Sequence, residues 1–130
     1  MTNKHTGSCH CGAVRFEVDL EAPPKGASRC NCSICARVAQ TSAIVKPTAF
    51  TLLTSEGALS SYEWGGKTAK RFFCTTCGIH AFARGYLEQV GGDYVSVNLN
   101  CVDDLDVSRL EVVHQSSSRA RWDSHAASAP

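Results

Sequence analysis

Seven of the eight cysteines fall into three tight groups: Cys9-His10-Cys11, then Cys30-Asn31-Cys32-Ser33-Ile34-Cys35, then Cys74-Thr75-Thr76-Cys77, with 18 and 38 residues between groups. Such spacing admits three chemistries: disulfides, metal binding or thiol redox exchange. The close spacing of these cysteines favours metal. Zinc takes thiolate ligands tetrahedrally; structural sites fill all four positions with protein, and catalytic sites leave one open. Seven thiols divide as four plus three. Cys9, Cys11, Cys74 and Cys77 make a closed structural site joining the first pair to the last. Cys30, Cys32 and Cys35 would then form a second, local and catalytic site with a vacant position, for two Zn2+ per chain. A rival division pairs Cys32 and Cys35 with Cys74 and Cys77 as two C-x-x-C knuckles. A further alternative closes the central site with His10 or His80.

An open three-thiolate site carries a net charge of about −1 and is a weaker Lewis acid than a three-histidine site. A small-molecule thiol suits its fourth position, and coordination would make that thiol a nucleophile at neutral pH. The matching co-substrate is a small carbonyl electrophile. The leading expectation is therefore an enzyme that activates a thiol. The alternatives are a non-catalytic zinc module that binds a protein partner and a thiol redox protein acting through the eighth cysteine, Cys101. The bland role for Cys101 is that of a small buried hydrophobe.

Composition narrows the field. The chain has 130 residues, enough for one domain with a core of its own. Thirteen basic and twelve acidic side chains give a formal charge of +1, which gives no support to nucleic acid as a partner. Met1-Thr2-Asn3-Lys4-His5-Thr6-Gly7-Ser8 lacks the apolar segment of a signal peptide. No apolar run approaches the roughly 18 residues of a membrane span. These features predict a cytoplasmic protein whose cysteines stay reduced, which disfavours structural disulfides.

The elements that must position the thiols read as strands and turns. Val14, Phe16 and Val18 alternate with polar residues, the mark of a half-buried strand. If that strand begins at Cys9, Cys9 and Cys11 share one face and His10 points to the other. Pro23, Pro24 and Gly26 mark a loop. Ser33 is placed to cap a short helix through Ala36, Arg37, Val38 and Ala39. Strands are expected over 42–45, 50–54, 59–64, 94–99 and 110–114. Residues 71–84 read as a hairpin with Cys74 and Cys77 at its tip and Gly78 in a conformation other residues resist. The prediction is a mainly β domain over residues 1–115 with one or two short helices, and a disordered tail over 116–130. Trp122 in that tail could instead pin it to the core. Arg15, Arg29, Arg37, Lys70 and Arg71 lie near the cysteines in sequence. They could receive a substrate carboxylate, offset thiolate charge or simply be solvated.

Three segments together resemble the glutathione-dependent formaldehyde-activating enzyme family, also called the centromere protein V family: Gly7-Ser8-Cys9-His10-Cys11-Gly12-Ala13-Val14-Arg15-Phe16-Glu17-Val18, Cys30-Asn31-Cys32-Ser33-Ile34-Cys35 and Phe73-Cys74-Thr75-Thr76-Cys77-Gly78. The resemblance implies an Mss4-like zinc-binding β fold. It implies a structural zinc on Cys9, Cys11, Cys74 and Cys77 and a second zinc on Cys30, Cys32 and Cys35. It also implies a carbon–sulfur lyase activity, run in the synthetic direction, that joins glutathione to formaldehyde as S-hydroxymethylglutathione. The redox alternative draws on methionine sulfoxide reductases of the B type, which share the Mss4-like fold but lack the central C-x-C-x-x-C.

Overall fold

The structure is a computed structural model that describes residues 2–21, 26–30, 33–63 and 69–115. Cys32, Pro23, Pro24 and the tail with Trp122 lie outside the described residues. Among the described residues, ten strands and one short helix appear in chain order: β1 (Thr2–Ser8), β2 (Arg15–Glu21), β3 (Ser28–Cys30), α1 (Ser33–Val38), β4 (Ser42–Val45), β5 (Phe50–Leu52), β6 (Leu59–Tyr62), β7 (Ala69–Cys74), β8 (His80–Leu87), β9 (Gly92–Asn98) and β10 (Val113–Gln115). Short 3-10 turns fill several of the connections. The fold is mainly β, as expected.

The strands form two sheets. The smaller has the order β1-β2-β5, the larger β10-β3-β4-β9-β8-β7-β6. β10 pairs with β3 in parallel, and the other neighbours are antiparallel. The alternation read from the sequence of β2 is realised: Phe16, Val18 and Leu20 are buried while their neighbours face outward. They meet Phe82, Val95 and Val97 of the larger sheet in one core. A row of rings links the layers. Phe16 stacks on Phe50 with centroids 5.3 Å apart, Phe50 lies 4.6 Å from Phe82, and Phe72 stacks on Phe82 at 5.0 Å. Such offset pairs add to the burial of large apolar side chains, so the two sheets are held as facing layers.

Several features depart from the sequence reading: β3 (Ser28–Cys30) was not expected, the last strand is Val113–Gln115 rather than 110–114, and two further differences bear on the site. β1 was not anticipated, because Thr2-Asn3-Lys4-His5-Thr6-Gly7-Ser8 has no apolar alternation. It forms anyway as a polar edge strand, paired along its whole length with β2. The second departure concerns the first cysteine pair. Cys9 and Cys11 do not sit in an extended strand with their side chains on one face. They lie in the turn between β1 and β2, where Gly12 takes a φ of +84° and ends any extended run.

Candidate functional site

Each end of the four-thiol group is a tight turn closed by backbone hydrogen bonds. In the first, the Cys9 N–H donates to the Val14 carbonyl at 3.0 Å and the Gly12 N–H to the Cys9 carbonyl at 3.3 Å. In the second, between β7 and β8, the Cys74 N–H donates to the Ile79 carbonyl at 3.0 Å and the Gly78 N–H to the Cys74 carbonyl at 2.9 Å. A glycine follows the second cysteine of each turn, with φ of +84° at Gly12 and +77° at Gly78. No atom lies within 4 Å of where a Cβ would stand at either position. The requirement is therefore for a left-handed backbone, which glycine meets without strain.

The two turns bring Cys9, Cys11, Cys74 and Cys77 together, their sulfurs all within 4.8 Å of one another. Cys9 Sγ is 3.7 Å from Cys11 Sγ, which is 3.6 Å from Cys74 Sγ. Tetrahedral zinc with bonds of about 2.3 Å to sulfur would set its ligands about 3.8 Å apart, so this donor set fits the ion. Disulfide bonds would need sulfurs at about 2.05 Å, and the seven described cysteines are free thiols. Backbone donors already face the sulfurs. Val14 N–H reaches Cys9 Sγ at 3.3 Å, and the N–H groups of Thr76 and Cys77 reach Cys74 Sγ at 3.3 and 3.4 Å.

These contacts spread the thiol pKa values. Hydrogen bonds from the Cys11 and Ile79 N–H groups, the first the larger, hold Cys77 down to about 6. Cys74 is lowered chiefly by the Cys77 N–H. For Cys11 the largest influence is the Ala13 N–H, which lowers it. The Cys74 sulfur, burial and the remaining sulfurs outweigh that and push it up to about 11. One thiol is thus ionised at neutral pH while another keeps its proton, and metal entry would release protons.

The central cysteines lie elsewhere. Cys30 ends β3 and Cys35 is the third residue of α1; neither belongs to the four-sulfur group. The structure therefore gathers Cys74 and Cys77 with the first pair and not with Cys35, against the rival ribbon pairing. Cys35 Sγ accepts a hydrogen bond from Arg71 Nη2 at 3.1 Å. Of the other cations singled out in the sequence, Arg29 donates to the Ala39 carbonyl at 2.9 Å, beyond the end of α1 where Ala39 has a φ of +56°. Arg15 and Lys70 are exposed.

A cavity of about 740 Å3 lies beside the four-thiol turns, lined by His10, Arg37, Gln40, His80, Asn98 and Asn100 among others. Its polar lining was not foreseen from the sequence, except for Arg37 and the two histidines. Asn98 ends β9, where its side-chain amide donates to the His80 carbonyl at 2.8 Å and its oxygen accepts from Asn100 N–H at 3.1 Å. The His80 ring stacks on Phe73 with centroids 5.3 Å apart. Its Nδ1 is buried without a hydrogen-bond partner among the described residues. Burial, with Arg71 adding to it, holds His80 below the ordinary histidine pKa. Cys101 also lines this cavity; burial pushes its pKa up to about 11, which leaves it a poor thiol nucleophile at neutral pH.

Comparison with known proteins agrees with this architecture. The sequence profile described as "Glutathione-dependent formaldehyde-activating enzyme" matches residues 4–117. A relative from Halomonas elongata, described as "Putative glutathione-dependent formaldehyde-activating enzyme", is 58% identical over 33 residues; the match spans 25% of this chain and 20% of that relative's length. The crystal structure of a Rhodobacter sphaeroides protein superposes with a TM-score of 0.73 at 32% identity, covering 85% of this chain and 99% of that one. With the profile running through both cysteine turns and the central cluster, the chain belongs to the glutathione-dependent formaldehyde-activating enzyme family.

Proposed function

We propose that this chain binds two zinc ions and uses the second to activate a small thiol, glutathione by default, for addition to formaldehyde or a related small carbonyl. The observation that carries the reading is the separation of the thiols. Cys9, Cys11, Cys74 and Cys77 complete a tetrahedral donor set by themselves, which leaves Cys30, Cys32 and Cys35 for a different task. A zinc ion bound by those three would supply the Lewis acidity that keeps a substrate thiol ionised near neutral pH.

The chain's own residues account for the rest. The closed set fixes the β1–β2 turn against the β7–β8 turn and so frames one wall of the cavity. Arg37 follows Cys35 by two residues on α1 and lines that cavity. Its guanidinium suits a carboxylate of the substrate's polar tail, while Gln40, Asn98 and Asn100 offer neutral donors and acceptors. In the reaction, the substrate sulfur forms a bond to the carbonyl carbon, the carbon–oxygen π pair moves to oxygen, and that oxygen gains the proton the thiol gave up. The product is an S-hydroxymethyl thioether, and nothing is oxidised or reduced. Free thiols and the absence, among the described residues, of any helix able to cross a membrane suit work in a reducing cytoplasm.

The test is the exchange of carbon-13 formaldehyde between its hydrate and glutathione, followed by NMR at neutral pH. The zinc-loaded protein should speed adduct formation above the spontaneous rate, and Cys35→Ser should remove the acceleration. Equal rates with and without wild-type protein would overturn the reading and favour the non-catalytic zinc module.

A further inference from the structure

The proposed thiol site has a charge problem. Three thiolates on a divalent ion sum to about −1, and a substrate thiolate makes about −2, so each added sulfur raises repulsion that a nearby cation would relieve. Arg71 stands where that cation is needed. It lies within β7, paired with Tyr62 of β6 on one side and Ala83 of β8 on the other, so its backbone is fixed by both ladders. Its neighbour Phe72 points into the aromatic core. Alternation therefore sends Arg71 to the opposite face of the sheet. There Nη2 donates to Cys35 Sγ at 3.1 Å. Among the described residues no carboxylate forms an ion pair with Arg71.

The guanidinium also acts on other titratable groups of this face. Its charge helps to lower His80 and opposes the rise that burial causes at Tyr94, a side chain that also feels Cys35. Cys35, Arg71, Tyr94 and His80 therefore form one neighbourhood, assembled from α1, β7, β9 and β8. Sequence proximity to the cysteines does not single out Arg71 from Lys70, whose side chain is exposed.

We propose that Arg71 is the positioning residue of the thiol site: it orients the Cys35 sulfur and offsets the charge added when an anionic thiol joins the three cysteine thiolates. This inference rests on the proposed function and adds a specificity to it. The site selects thiolates over neutral ligands because a fixed cation already faces the Cys35 sulfur. A charge-assisted N–H···S bond of this kind also lowers the donor strength of the sulfur that accepts it.

The experiment titrates the reduced, metal-loaded full chain with glutathione by calorimetry and follows the sulfur-to-metal charge-transfer band of the cobalt-substituted protein. Wild type, Arg71→Gln and Arg71→Lys are compared at two salt concentrations. Arg71→Gln should keep both metals but bind glutathione about tenfold more weakly, about 1.4 kcal/mol. Its charge-transfer band should move to lower energy as Cys35 becomes a stronger donor. Arg71→Lys, which keeps charge but not the planar fork, should recover part of the affinity. The wild-type affinity should also fall more steeply with salt than that of Arg71→Gln. Unchanged affinity and an unchanged band in Arg71→Gln, with the wild type binding glutathione, would overturn the role of Arg71 and leave the proposed function standing. Loss of the second metal in both variants alike would overturn it as well, since that is the behaviour of a purely structural arginine. A wild type that binds no glutathione would instead remove the proposed function itself.

Discussion

His80 shows how a single side chain ties the cavity to the fold. Its ring stacks on Phe73, its Nδ1 is buried without a partner among the described residues, and its pKa is lowered by burial and then by Arg71. The sign of the consequence follows from linkage. Above the unfolded histidine pKa of about 6.5 both states are neutral and His80 contributes no pH dependence. Below it the unfolded chain takes up a proton that the folded chain resists, so stability falls as pH drops from about 6.5 toward the lowered folded value. His80→Phe keeps a ring against Phe73 and removes the titration. Urea midpoints at pH 7.5 and 5.5 should therefore show the wild type losing more stability on acidification than the variant. Equal losses would mean that His80 is not held neutral by its surroundings. The sequence marked His80 as a candidate only through its closeness to Cys77; the stacking of its ring on Phe73 across the β7–β8 pair is not revealed by any local pattern.

At the scale of elements, local patterns were legible where one face is buried. Phe16 and Val18 announced β2, and Phe73-Cys74-Thr75-Thr76-Cys77-Gly78 announced a hairpin tip with a left-handed glycine. The first cysteine turn was misread because the alternation of β2 was extended backward through Gly12. The clue was present, since Cys11-Gly12 repeats the Cys77-Gly78 arrangement. β1 was invisible because an edge strand that buries little needs no apolar period. Its importance appears instead at Gly7, where an added Cβ would overlap the Phe16 ring and stand 2.7 Å from the Cys101 carbonyl oxygen. The strand also makes a bridge from Gly7 to Val102 and accepts the Asp103 N–H at 2.9 Å through the Thr6 carbonyl. Gly7→Ala should cost about 1–3 kcal/mol, the usual penalty for overpacking a core contact, read as a lower urea midpoint with an unchanged slope. A variant as stable as the wild type would show that β1 can move away from Phe16 without loss.

For the whole molecule, the cysteine spacing carried more information than the strand pattern did. It allowed both a four-plus-three division and a ribbon pairing, and the structure brings the four outer thiols together across 63 residues of chain, from Cys11 to Cys74. What spacing could not give is the order of ten strands in two sheets, including the parallel pairing of β10 with β3, because those pairings are set by non-local burial. Nor could it rank Arg71 above its cationic neighbours, since that depends on which face of β7 meets α1. The measurement that bears most directly on the account is native mass spectrometry of the reduced chain, counting zinc with and without glutathione. Two zinc ions per chain are expected, with one lost in Cys35→Ser, and a glutathione adduct only when Cys30, Cys32 and Cys35 are all present. A single zinc that disappears in Cys11→Ser, with no second ion and no adduct in the wild type, would contradict it.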